Sequence, residues 1–328
     1  MLVYDKQSPN KERGRPRITL KLTIFAVFPL TLVTFVTMTP KGKLIIIGGA
    51  VDKGSFTENN FESQVEKNLN FFEQGILKRI ITESKSGKES RIEIIPTASK
   101  IPDVVGAEYA KAFNFLGAEN VGVLKIENRE TALAENSYQR IKDADVIFFT
   151  GGDQLRLTSI IGGTPMHDLI LQKYQEEEFI YVGTSAGAAS ASKSMIYQGS
   201  SHEALLKGEI KITSGLGLID HVVIDTHFVQ RGRIGRLFQA VVSNPKTLGI
   251  GLGEDTGLLV TNGNEMEALG SGLVILVDGR HISDTNITDV NIGEPISIKN
   301  LVVHVMSKYD KYLLKEHQFT IHAQAHAN

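Results

Sequence analysis

From Lys43 onward the apolar residues fall into short unbroken runs, separated by stretches in which they recur every three or four positions. Leu44-Ile45-Ile46-Ile47 is apolar throughout and stops at Gly48-Gly49. A strand covered on both faces needs such side chains on both sides, so this run predicts a buried parallel strand. Further strands are predicted at Arg91–Ile95, Val121–Leu124, Asp145–Phe149 and Phe179–Val182. Between them, helical spacing is predicted over Phe61–Glu83, Val104–Leu116, Thr131–Ile141 and Met166–Glu178. Strand and helix alternating at this interval imply a parallel sheet with helices on both faces. Ligands in such folds sit at the carboxyl ends of the strands. Gly48-Gly49, Thr97, Gly151-Gly152 and Ser185 all fall there, so they should converge on one side.

The last third has a different pattern. Leu248–Leu252, Gly257–Thr261, Glu265–Leu269, Leu273–Val277 and Leu301–Met306 read as short strands. Asn262-Gly263-Asn264 and Asp278-Gly279 are hairpin signals. The expectation is an antiparallel extension of the same domain. The domain organisation is therefore an N-terminal extension over residues 1–40, one α/β domain over 41–315 and a loosely ordered tail over 316–328.

The chain has 328 residues, 41% of them hydrophobic, with a formal net charge of −2 and no cysteine. The size suits one large α/β domain. The charge provides no global field toward nucleic acid or membrane. Without cysteine there is no disulfide, thiolate nucleophile or cysteine zinc site, so a covalent hydrolase must attack with oxygen. Lys6, Lys11, Arg13, Arg15 and Arg17 precede an apolar stretch from Leu22 to Met38, the outline of a signal or anchor. No small-residue cleavage site follows, and only Thr39–Gly42 separates the stretch from the first core strand. Met38 is therefore read as the functional start and the protein as cytoplasmic. The rival reading is secretion or membrane anchoring through residues 18–38.

The run Gly183-Thr184-Ser185-Ala186-Gly187-Ala188 follows an apolar strand and leads into helix-forming residues. This is the layout of a nucleophile elbow, whose sharp turn needs small neighbours and lifts the serine hydroxyl clear of the sheet. The Ala186 amide then points where an oxyanion would form, and Gly152 is the candidate for a second donor. A serine needs a base. Of nine histidines, His227 stands out, because it follows Val222-Val223-Ile224-Asp225-Thr226 at another strand end. Glu254 and Asp255 both lie just past a further strand, and spacing does not choose which orients the histidine. Arg231, Arg233 and Arg236 follow His227 closely and suggest carboxylate binding, since guanidinium forks grip carboxylates bidentately. Gly48-Gly49-Ala50 lacks the spacing of a dinucleotide or P-loop fingerprint.

Together these motifs resemble the serine peptidase family that contains cyanophycinase and α-aspartyl dipeptidase (peptidase E). The similar features are Gly48-Gly49-Ala50 with Asp52-Lys53, Gly151-Gly152 with Gln154, the Ser185 elbow, Asp225 to Leu237, and Gly253-Glu254-Asp255-Thr256. The resemblance implies a flavodoxin-like α/β fold, akin to class I glutamine amidotransferases with serine in place of cysteine. It implies a triad of Ser185, His227 and Glu254, a homodimer, and neither metal nor cofactor. It implies cyanophycin, a poly-aspartate carrying arginine on each side chain, as substrate, with other aspartyl or isoaspartyl peptides as the alternative and a non-catalytic binder on the same fold as a further one. Gln154, Asp225, Arg231, Arg233 and Arg236 match the family's substrate-pocket positions. On this reading Asp225 takes a substrate guanidinium and the arginines take carboxylates. Thr226 stands where glutamine is common, Asp153 where asparagine is usual, and Tyr309 in a segment that usually has glycine.

Overall fold

The computed structural model describes residues 39–54, 70–199 and 205–323. The apolar stretch at Leu22–Met38 and the start of the helix expected from Phe61 lie outside these residues. Met38–Asn328 forms one compact unit. Among the described residues no helix is long and apolar enough to cross a membrane.

The parallel half of the fold follows the hydrophobic pattern. Its strands are β1 (Lys43–Ile47), β2 (Arg91–Ile95), β3 (Asn120–Val123), β4 (Val146–Phe149) and β5 (Ile180–Thr184). They lie in the order β1-β5-β4-β2-β3, each pair parallel. Helices α1 (Ile76–Glu83) and α2 (Pro102–Phe115) cover one face. There Ile45, Ile47, Ile92, Ile94 and Phe148 meet Leu77, Ile80 and Phe113 in one core. The opposite face carries Leu44, Ile46, Ile147, Phe149 and Tyr181, so alternate residues of the same runs feed two cores. Helices α3 (Arg129–Leu133), α4 (Glu135–Asp143), α5 (Gln154–Ile161), α6 (Pro165–Glu176) and α7 (Ala186–Ala191) contribute to that second core.

The remaining strands are β6 (Ser194–Gly199), β7 (Ile210–Ser214), β8 (Val222–Thr226), β9 (Leu248–Leu252), β10 (Thr256–Thr261), β11 (Glu265–Gly270), β12 (Val274–Asp278), β13 (Asp284–Thr285), β14 (Ile298–Lys299), β15 (Val302–Met306), β16 (Lys311–Leu313) and β17 (Gln318–Thr320). β10, β11, β16 and β17 extend the main sheet antiparallel beyond β1. β8, β9, β12 and β15 form a second sheet, in which β8 and β9 are parallel. Its inner face joins the second core through Ile224, Ile250 and Leu276. Helix α8 (Ile234–Ser243) covers its outer face through Leu237, Ala240 and Val241.

Several local expectations are corrected. The strands from Leu248 to Val277 do not form one extension, because β10 and β11 join the main sheet while β9 and β12 pair in the second. Among the described residues the helix expected through Glu83 covers Ile76–Glu83, after a π-type turn at Asn70–Gln74 and the extended Gly75. The helix expected over Thr131–Ile141 is two, because Ala134 adopts an extended ψ of 134° between α3 and α4. α5 was not foreseen at all. Asn262-Gly263 does turn β10 into β11, with φ of 56° and 59°. Asp278-Gly279 makes no tight hairpin: Asp278 holds its neighbour Arg280, and β12 pairs with the later β15. The tail is ordered at least through β17, which hydrogen-bonds to β16.

Candidate active site

The nucleophile elbow is present. Ser185 sits between β5 and α7 with φ 52° and ψ −107°, a conformation a non-glycine residue holds only when its surroundings impose it. A Cβ at Gly183 would lie 2.3 Å from the Gly187 backbone, so strand and helix could not pack this closely with a larger residue there. Gly151 flanks the serine side chain. Gly152 follows with φ 143°. Among the described residues the amides of Gly152 and Ala186 have no acceptor. Both stay free to donate to an anion.

His227, at the end of β8, reaches Ser185 Oγ with Nε2 at 3.0 Å. Its Nδ1 lies 2.7 Å from Glu254 Oε1. A carboxylate at Nδ1 requires the Nδ1–H tautomer and leaves Nε2 as the acceptor facing the hydroxyl. Glu254 is therefore the carboxylate that meets the histidine. Asp255 turns away: its Oδ1 accepts the Asp52 amide at 3.0 Å and its Oδ2 accepts the Ser271 hydroxyl at 2.7 Å. Burial lowers the His227 pKa below 6.5, opposed by the Glu254 hydrogen bond and reinforced by the charges of Arg231 and Arg233. The imidazole is thereby kept neutral, as a base must be.

The end of β1 holds these parts in register. Its three successive carbonyls each accept one amide: Ile47 O from Ser185 at 2.8 Å, Gly48 O from His227 at 2.8 Å, and Gly49 O from Asp255 at 2.9 Å. Gly49, with φ 109°, also lies directly against the imidazole; a Cβ there would be 2.3 Å from Cε1 and 2.5 Å from Nε2. Four non-glycine residues with positive φ gather here, Ala50, Ser185, His227 and Asp255. Gln230 adds a further tie, its Oε1 accepting the Glu254 amide at 3.1 Å. Sequence reasoning missed Gly49 and Gln230. The position of Gly48-Gly49 at a strand end beside Ser185 is legible in the sequence, but its packing against the imidazole is not.

The expected pocket residues divide. Asp225 is 1% exposed and Arg236 5% exposed. They pair bidentately, Arg236 Nε donating to Oδ2 at 2.6 Å and Nη2 to Oδ1 at 2.8 Å. Arg233 Nη1 adds bonds to Asp225 Oδ1 at 3.2 Å and to the Thr226 carbonyl at 2.7 Å. The expectation that Asp225 takes a substrate guanidinium is corrected, because arginines of this chain already occupy its carboxylate. Arg231 is exposed; its amide donates to the His227 carbonyl at 3.0 Å, and its guanidinium has no hydrogen bond or ion pair among the described residues. Arg233 keeps an unbonded, buried Nε. Gln154 opens α5 and spends its amide on the Ile196 carbonyl of β6 at 3.0 Å. Asp153 caps α5, accepting the amides of Leu155 and Arg156, a task asparagine performs equally well. Among the described residues no cluster of acids and histidines could hold a metal.

The profile of Peptidase family S51 matches residues 67–267. A cyanophycinase from Trichormus variabilis is 35% identical over 274 residues, 84% of this chain and 86% of that one. The chain belongs to peptidase family S51. A second relative, a cyanophycinase from Synechococcus elongatus, is 38% identical over 71% of this chain and 72% of its own length. The crystal structure of a peptidase from an acI-B1 Actinobacterium superposes with a TM-score of 0.55 at 22% identity, covering 74% of this chain and 93% of the other, a likeness of fold.

Proposed function

We propose that this S51 peptidase hydrolyses cyanophycin, multi-L-arginyl-poly-L-aspartate, to β-aspartyl-arginine dipeptides, with Ser185 as nucleophile, His227 as base and Glu254 as orienting acid. The observation that carries this reading is the hydrogen-bonded chain Ser185–His227–Glu254, at 3.0 and 2.7 Å, in a chain that resembles cyanophycinases over most of their length. His227 Nε2 removes the Ser185 proton as Oγ attacks the scissile main-chain carbonyl. The Gly152 and Ala186 amides receive the oxyanion, a contribution of about 3–4 kcal/mol per donor to such barriers. His227 then protonates the leaving amine, and water, deprotonated by the same imidazole, resolves the acyl-enzyme. Glu254 keeps the productive tautomer and offsets the imidazolium charge. Arg231 and the free edge of Arg233 face substrate carboxylates, while Asp225 and Arg236 act as the scaffold that aims Arg233. The same reading takes the protein as a cytoplasmic homodimer; sedimentation of the purified chain would check the dimer, and cell fractionation the location.

The test is incubation with insoluble cyanophycin and detection of soluble product by mass spectrometry. Release of β-aspartyl-arginine by wild type, and its loss in Ser185→Ala with the melting temperature kept, is the expected result. Ser185→Ala activity within tenfold of wild type would sink the assignment of the nucleophile. No release from a folded protein whose Ser185 still reacts with a fluorophosphonate would reject the substrate and redirect the search to aspartyl and isoaspartyl dipeptides.

A further inference from the structure

A cavity of about 430 Å³ lies at the end of the fold opposite Ser185. Its wall includes Pro40 just before β1, Tyr174 shortly before β5, His221 just before β8 and Lys246 just before β9. It therefore gathers the leading ends of the strands whose trailing ends carry Gly48-Gly49, Ser185, His227 and Glu254. Strand β8 alone separates His221 from His227, about 20 Å at strand rise. The cavity is thus distinct from the Ser185 site.

Its chemistry is mixed in a particular way. Pro40, Leu218, Ile219 and Leu314 supply an apolar surface. Lys246, Lys315 and Arg280 supply cations. Arg280 is matched by Asp278, but no carboxylate pairs with Lys246 or Lys315 among the described residues. The one acid on the wall, Asp220, is taken by Lys193 at 3.3 Å and by the His221 amide at 2.7 Å. Tyr174 is fully buried, and its hydroxyl has no partner among the described residues. Leaving such a group unpaired costs about 1–3 kcal/mol, so an unused buried donor on a cavity wall calls for an acceptor. That hydroxyl lies beside Gly263, another wall residue, where an added Cβ would be 3.7 Å from it. Burial also pushes the phenol pKa well above its ordinary value, so it remains a donor. The volume lies in the range of small-molecule sites.

We propose that this cavity binds a small amphiphilic organic anion, its apolar body against Leu218, Ile219 and Leu314 and its charged head toward Lys246 and Lys315, accepting a hydrogen bond from Tyr174. Surplus cation next to apolar surface selects against both neutral oils and bare inorganic ions.

The test uses the full chain and 8-anilinonaphthalene-1-sulfonate, an aromatic sulfonate whose fluorescence rises on transfer to an apolar site. One saturable site is expected, with Kd raised at least tenfold in Lys246→Glu/Lys315→Glu. Tyr174→Phe keeps the ring, removes the unpaired hydroxyl, and should weaken binding at least threefold without lowering the melting temperature. Displacement by octanoate identifies a carboxylate head, and displacement by octyl phosphate a phosphate head. Absence of saturable binding overturns the proposal. So does equal affinity of wild type and the folded variants, or displacement by octanol as effective as by octanoate.

Discussion

Gly49→Ala tests how the histidine is positioned while leaving Ser185, His227 and Glu254 themselves unsubstituted. The new Cβ would lie 2.3 Å from His227 Cε1 and 2.5 Å from Nε2. Carbon atoms pack at about 3.5–4.0 Å, so the imidazole must retreat by about 1.2 Å or more. The bond from Ser185 Oγ to Nε2 is 3.0 Å. Stretching it by that amount takes it beyond hydrogen-bonding range. A misplacement of about 1 Å costs about 10²-fold in rate, and complete loss of a general base about 10²–10⁴-fold. The expected fall in kcat/KM is therefore about 10²–10⁴-fold. An alanine at φ 109° also carries strain of about 1–3 kcal/mol, several degrees of melting temperature for a domain of this size. Gly163→Ala separates the two effects, since Gly163 also has positive φ, at 66°, but nothing within 4 Å of an added Cβ. The assay is release of soluble dipeptide from cyanophycin, run beside the rate of fluorophosphonate labelling and a thermal melt. Gly49→Ala should be folded and nearly inactive, and Gly163→Ala fully active. A folded Gly49→Ala enzyme within tenfold of wild type would refute the reasoning.

Other outcomes follow from the same geometry. Because burial holds the His227 pKa below 6.5, the acid limb of kcat/KM should inflect below pH 6.5, and Arg231→Gln should move that inflection upward. The unfolded chain binds this proton more readily, so the His227 contribution to stability is present above pH 6.5 and is lost as pH falls toward the folded pKa; a melting temperature independent of pH across that window in wild type, but not in His227→Gln, would contradict it. Asp225→Ala should cost about 3–5 kcal/mol of stability by stranding the Arg236 charge. Arg231→Ala should change stability by less than about 0.5 kcal/mol while raising KM. Tyr309 holds φ 74°, a left-handed conformation that glycine adopts without strain. Relief of about 1–2 kcal/mol of left-handed strain, less the exposed ring contacts with Lys308 and His322, should leave Tyr309→Gly about 0.5–1 kcal/mol more stable by thermal melt.

The five parallel strands were legible because their residues must satisfy two cores at once, and such runs have few other uses. The elbow was legible because close packing of strand on helix restricts Gly183 to the smallest side chain. Which of Glu254 and Asp255 meets His227 was not readable from spacing, because the choice depends on Asp255 adopting φ 45° and turning toward Asp52. The partition of β8 to β12 between two sheets escaped notice because each strand has the same alternation whichever neighbour it pairs with. The fate of Asp225 was hidden for a similar reason. A buried carboxylate answered by Arg236 and an open one awaiting a substrate read identically along a chain. Gly49 was seen, but its meaning is a contact with a ring from a distant segment.

The three carbonyls at the end of β1 have a consequence for the order in which the enzyme is made. They come early in synthesis, whereas the segments they hold come late; the Asp52 amide and the Asp255 carboxylate that join the same junction are 203 residues apart. A nascent chain emerging from the ribosome therefore carries its serine long before it carries the histidine and the glutamate. Until β8 and β9 are translated and dock, the end of β1 holds only the serine segment, with neither histidine nor glutamate beside it. On the proposed triad, hydrolytic power arrives only once β8 and β9 have docked and brought His227 and Glu254 to the serine.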